Sequence, residues 1–320
     1  MQQAIFAVGD EPYLLWEEDV AGRTREFLDG LDPEYFSYVL HAHMETDDEK
    51  RAAVAIRLSL HHATETMFSL LGAFLQAPDS PYAWIARCTN TELRGVVKRI
   101  SEGDRTLLSK YKLSGMGWEQ IAAVLFFTYE LGTDRQRVAI EGFSKLWRGL
   151  AGELLAEANI EEYNATKHGF RTRSGGFKIE FGPASPDGHP PPDSEMMLLG
   201  ESDFGAMFYK VERIKANGGH HLYSKRVATN WSLQRDILLL QLSQFSIQNT
   251  VSALKLANKF PPSDCKFVRP SNEDDFTLPW RHSPGVTNMT FPSMLNPEAV
   301  PNITKTEILK KLREALGGNV

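Results

Sequence analysis

Two polar clusters interrupt apolar helical stretches and carry residue types that can do chemistry. The first is RLSLHHATE, residues 57 to 65. Arg57, His61 and Glu65 are successive i, i+4 neighbours on one helix face, where they border an apolar stripe. An arginine, an imidazole and a carboxylate stacked in this way could hold an anion and move a proton. The plainer reading of the same spacing is a row of paired polar side chains at a bundle seam. The second cluster is EEYNATKHGFR, residues 161 to 171. Asn164 and His168 share a face, with Glu161 one turn earlier. Tyr163 and Lys167 share the adjacent face, and Arg171 lies beyond the helix end. Lys167 and His168 fall in the last turn, where the helix dipole favours cations, and Gly169 suits a left-handed terminus. A charge-complemented helix end explains Lys167, His168 and Gly169, but explains Tyr163 and Asn164 less well. If both helices belong to one bundle, Arg57, His61, Glu65, Asn164 and His168 converge in a polar pocket.

The elements that must position these residues are mostly helical. From Asp48 to Gln76 the apolar positions Ile56, Leu60, Ala63, Met67, Leu71 and Phe74 recur at three and four, one face of a long helix. Pro78 and Pro81 end it. Shorter helices are expected from Thr91 to Ile100 and from Trp118 to Tyr129. Thr133 with Gln136 makes a capping-box pattern, followed by the stripe Ile140, Phe143, Trp147, Leu150 and Leu154. That helix runs to His168 or breaks near Asn159 and restarts. GFKIEF alternates in polarity, and β-rich segments flank ANGG, residues 216 to 219, as in a hairpin. A small antiparallel sheet is therefore expected between about 172 and 230. A last long helix follows from Trp231 to Asn258, then a Pro-rich irregular tail and a short helix over 305–316. The expected fold class is mainly α: a helical bundle over 1–168, a β insertion over 169–230, a long helix over 231–260 completing the bundle, and a tail over 261–320.

Composition narrows the function classes. The chain has 320 residues, 42% hydrophobic and 24% charged, with a formal net charge of -6. A packed core is expected, and nucleic-acid binding would need a local basic patch. Of the two cysteines, neither Cys88 nor Cys265 has a partner at zinc spacing, and a reducing compartment suits them. The longest apolar run, IAAVLFF, is far short of the roughly 20 residues a membrane helix needs. No basic-then-apolar leader opens the sequence, so a cytoplasmic protein without membrane partners is expected. SGMGW lacks the Lys-Ser/Thr of a phosphate-binding loop, and Leu146 stands where a Gly-x-Ser-x-Gly elbow needs its second glycine.

At its polar clusters the chain resembles HEPN domains, helical bundles of prokaryotic defence and toxin systems. YNATKH carries Asn164 and His168 at the positions of that family's short Arg-polar-…-His motif, with Tyr163 where the Arg would be. RLSLHH has the spacing as well, from Arg57 to His62, although an unbroken helix turns those two side chains about 140° apart. The resemblance covers about residues 33 to 168 and the last long helix. It implies a homodimer binding RNA or a nucleotide, and metal-independent ribonuclease chemistry without a cofactor. On that reading His168 acts as acid or base with Asn164 orienting it, His61 and Glu65 join the catalytic set, Arg57, Lys167 and Arg171 hold phosphate, and Tyr163 stacks on a base.

Two alternatives belong to other classes. A non-catalytic interaction module suits the β insertion and the tail. A metal-bearing bundle oxidase would draw on HHATE and on His41 and His43. Such sites need two Glu-x-x-His units and two further Glu, a set the sequence does not supply, and no metal ligands are assigned.

Overall fold

A computed structural model describes every residue except 114, 169–170, 184–188, 190, 216–219, 292–294 and 318–320, and all but the side chain of 297. The chain is mainly helical with small antiparallel sheets, and it divides into two compact units, residues 1–163 with 231–283 and residues 164–230 with 284–320.

The first unit is built on two long helices, α3 (Glu49–Gln76) and α9 (Leu233–Ala257), which pack along each other. Asp48 starts α3 by accepting from the Arg51 amide at 3.1 Å, and Ser232 starts α9 by accepting from the Arg235 amide at 3.3 Å. All six stripe positions of α3 named above are buried. Helix α9 is buried nearly all round, and Ser246, Asn249 and Thr250 on it are satisfied by backbone or side-chain partners. Around this pair lie α1 (Val20–Gly30), α2 (Tyr35–Met44), α4 (Pro81–Arg87), α5 (Asn90–Ser101), α6 (Trp118–Leu125) and α7 (Asp134–Leu155). Pro81 does not merely break α3: it opens α4, because its fixed φ suits a first helical position. Helix α6 is shorter than the spacing suggests and ends at Leu125.

The helical reading of the first residues needs correction. Strands β1 (Gln2–Val8) and β2 (Glu11–Glu17) form an antiparallel hairpin across a two-residue turn, with Gly9 at φ 64°. Phe6 and Val8 enter the core, and the Gln76 side chain clamps the turn through both the amide and the carbonyl of Gly9. The segment after α9 is less of a tail than its composition suggests. Short 3-10 turns over Glu273–Phe276 and Leu278–Arg281 seat Phe276 edge-on against Phe143, ring centres 5.0 Å apart.

In the second unit, β3 (Thr172–Ser174), β6 (Gly205–Arg213), β7 (Leu222–Asn230) and β8 (Asn288–Phe291) form a four-stranded antiparallel sheet in the order β3-β6-β7-β8. Strands β4 (Lys178–Phe181) and β5 (Met197–Glu201) make a separate pair, and α10 (Lys305–Ala315) follows. The expected hairpin is β6–β7. Its ANGG turn and the expected stop at Gly169 lie outside the described residues. Strand β8 comes from the segment read as tail, so more of the chain is sheet than a single inserted hairpin supplies.

Close packing of the first unit is most exacting at Gly72 on α3. A Cβ there would stand 2.4 Å from the ring of Trp84, which is itself fully buried and donates to Ala7 O and Gln76 Oε1. Gly72→Ala is expected to destabilise the protein by about 1–3 kcal/mol, read as a lower urea midpoint at unchanged slope. An unchanged midpoint would show that Trp84 is free to move.

Candidate functional site

The residues on α3 that sequence spacing singles out meet α5, α8 (Glu157–Lys167) and the first turn of α9. Helix α7 stops at Ala156, whose extended backbone (φ -66°, ψ 121°) turns the chain into α8. Asn159 stabilises that elbow by donating to the Glu153 carbonyl at 3.0 Å and to Glu153 Oε2 at 2.8 Å, covering an orphan carbonyl of the α7 end. Its own Oδ1 accepts from Arg57 Nη2 at 3.4 Å.

Arg57 is the hub. It is only 7% exposed, and its Nε donates to Glu162 Oε1 at 2.8 Å while Nη1 donates to Asp236 Oδ1 at 3.1 Å. Its guanidinium lies 5.9 Å from the Trp231 ring. Glu162 in turn accepts from Trp231 Nε1 at 3.0 Å through its other oxygen. The two carboxylates therefore come from α8 and from the first turn of α9, and the cation that joins them comes from α3.

His61, one turn beyond Arg57, places Nε2 3.2 Å from Glu162 Oε1 and stacks on Tyr163 with ring centres 4.9 Å apart. A carboxylate only accepts, so in this pair Nε2 carries a proton. The Tyr163 hydroxyl bonds Glu65, which also accepts from Asn90 Nδ2 at 3.1 Å and lies 4.0 Å from an Arg94 nitrogen. Arg57, His61, Glu65, Arg94, Asn159 and Tyr163 line a cavity of about 30 Å³ with aliphatic walls from α7 and α9, room for one or two water molecules. Arg94 Nε is buried and has no hydrogen-bond partner among the described residues.

Burial and pairing pull the charges of this cluster in opposite directions. Burial would lower the Arg57 pKa, but the Glu162 and Asp236 charges outweigh it and keep the guanidinium charged. Burial would raise Glu162, yet Arg57 and the His61 contact hold it well below the usual carboxylate range. Asp236 shares the same cation but lies above its ordinary value. Burial is the first cause there, Arg57 and Arg235 oppose it, and Glu162 adds repulsion. Tyr163 is pushed up to about 12 by burial and by Glu65, so it keeps its proton at neutral pH.

Other candidates are placed differently. Arg57, expected to hold phosphate, is committed to two carboxylates. His62 is exposed and meets the edge of Phe36 at 5.2 Å, well away from the Arg57 contacts. Asn164, Lys167, His168 and Arg171 belong to the second unit. There Arg171 closes the end of α8, donating from Nη2 to Asn164 O and from Nε to His168 O, each at 3.2 Å. Lys167 and His168 are exposed. Among the described residues no group of three or more His, Cys, Asp and Glu is placed to hold a metal ion.

Sequence spacing missed Glu162, Asp236, Asn159, Trp231 and Arg94. It assigned importance to Glu161, one residue from the carboxylate that is 2% exposed. Asp236 reads as an ordinary first-turn acid of α9. The one available signal was Arg57 itself, a cation at the edge of an apolar stripe that requires a buried partner.

Glu162→Gln is expected to cost about 1.5–3 kcal/mol at pH 7, because Arg57 keeps Asp236 but loses the charge of its closer carboxylate. Asp236→Asn should cost less than half of that. The acid responses differ in sign. Glu162 binds its proton less readily when folded, so its contribution is present above the unfolded carboxylate range and is lost as pH falls. Asp236 binds its proton more readily when folded, so it opposes that loss. Urea melts from pH 7 to pH 3 should therefore show a shallower acid decline in Glu162→Gln and a steeper one in Asp236→Asn. Parallel declines would mean that the two carboxylates share Arg57 equally.

No protein-family model matches this chain, and no curated protein or solved structure does.

Proposed function

We propose that the chain is a HEPN-like RNA-binding protein, a cytoplasmic homodimer of a bacterial defence or toxin-type system, whose metal-independent ribonuclease centre is His61. The observation that carries this reading is an imidazole backed by a buried carboxylate, His61 on Glu162, beside an arginine with an unused donor. Glu162 orients the ring and stabilises the imidazolium that forms, as a carboxylate does in other His-centred sites. His61 Nδ1 takes the proton from a ribose 2′-hydroxyl. The 2′-oxygen then bonds to phosphorus as the bond from phosphorus to the 5′-oxygen breaks. Tyr163, protonated at neutral pH, gives its proton to the leaving 5′-oxygen. Arg94 meets the growing charge on the phosphate. Glu65 holds the Tyr163 hydroxyl, and Arg57 acts through Glu162 rather than on the phosphate.

The size of the cavity favours a second reading. Space for one or two waters suits a closed polar lock, and on that reading the chain is a non-catalytic interaction module.

End-labelled single-stranded RNA incubated with the protein in EDTA separates these readings. Cleavage to 2′,3′-cyclic phosphate ends is expected, reduced at least about 100-fold in His61→Ala. A loss confined to His168→Ala would move the centre to the end of α8, with Asn164 its neighbour. No cleavage by any form would leave the interaction module.

A further inference from the structure

The four-stranded sheet of the second unit has two unlike faces. Residues directly opposite across strands share a face, and side chains alternate along each strand. One face carries Phe208 and Val227, buried against Ala165, and its lysines are paired: Glu212 meets Lys225 at 2.7 Å and Lys210 at 3.2 Å. The other face is open. Tyr209, Arg226 and Phe291 stand opposite one another on β6, β7 and β8, a single row about 10 Å wide. Tyr209 is 65% exposed, and the Arg226 guanidinium lies 4.0 Å over the Phe291 ring. The neighbouring row adds Arg173, opposite Met207, and two rows the other way Arg213 stands opposite Leu222, both arginines exposed. None of the described strand positions on this face is a carboxylate.

We propose that this open sheet face binds single-stranded RNA, with Tyr209 and the Arg226 guanidinium seated on Phe291 as the platforms for bases and Arg173, Arg213 and Arg226 meeting phosphates. Rings flanked by exposed cations on an antiparallel sheet are what unstacked bases and their backbone require. The face is also the local basic patch that a chain of net charge -6 needs to attract a polyanion. The Arg226 guanidinium already rests over Phe291, so little side-chain freedom is lost when a base or phosphate arrives. This extends the RNA reading above to a second surface that does no chemistry, and its test is independent of cleavage.

The test is fluorescence anisotropy of a labelled single-stranded RNA of about 10 nucleotides, titrated with the full chain in EDTA. The His61→Ala background keeps the RNA intact. Tyr209→Ala is expected to weaken binding about tenfold. Arg213→Glu with Arg226→Glu should weaken it further and reduce the slope of log affinity against log salt by about 2. Arg51→Glu, an exposed reversal on α3, is the charge control and should leave affinity within about twofold. Duplex RNA, whose bases are stacked inside, should bind more weakly. Absence of binding, equal losses in Arg51→Glu and the sheet variants, or equal affinity for the duplex would overturn the proposal. Tighter, Tyr209-dependent binding to anionic phospholipid vesicles would overturn it in favour of a lipid surface.

Discussion

The first unit depends on one buried cation. A guanidinium removed from water needs its charge matched and its nitrogens hydrogen-bonded, and each of the three Arg57 nitrogens donates once, to Glu162, Asp236 and Asn159. Asn159 and Glu162 come from the first turn and the middle of α8, and Asp236 from the first turn of α9. The requirements of a single side chain on α3 thus constrain two other helices. Such a network is weak as a source of net stability, because desolvation offsets most of the attraction. Its value lies in specificity: any packing that separates these helices leaves an uncompensated buried charge.

The same constraint produces the candidate chemistry. Glu162 has more acceptor capacity than Arg57 uses, and the surplus is directed to Trp231 and to His61. A structural carboxylate therefore also orients an imidazole, and the aromatic partner of that imidazole is the next residue on α8, Tyr163. On the far side of the cavity, Arg94 is only loosely paired with Glu65. Rigid pairing behind the ring and incomplete pairing in front of it are the combination that an acid–base site uses. The opposite shifts of Glu162 and Asp236 follow from position: Glu162 takes the shorter bond to Arg57 and has His61 and Trp231 as further donors.

The second unit follows a different logic. Its sheet is covered on one face and open on the other, and the alternation of β6 and β7 carries both patterns at once. Tyr209 and Val211 on the open face would be unremarkable singly. The cross-strand register that sets Tyr209 beside Arg226 and Phe291 gives them a joint meaning, and that register depends on β8, which is supplied from more than fifty residues beyond the β6–β7 hairpin.

Periodicity by itself determined the helical class, the course of α3 from its Asp48 cap to Gln76, the span of α9 and the existence of the β6–β7 hairpin, because each reports local geometry repeated over many residues. It also marked Arg57, His61, Glu65 and Tyr163, whose polarity beside apolar stripes is a local anomaly. The β1–β2 hairpin was legible in principle from its Gly-Asp turn, but two short strands give little signal inside a helical chain. What only the tertiary structure decided is pairing at a distance. Arg57 meets Glu162 across 105 positions and Asp236 across 179, and no spacing rule connects residues so far apart. The choice of Glu162 over Glu161 turned on a single residue of helical phase, set by the extended backbone at Ala156, and α3 could place its cation only where that phase put the carboxylate.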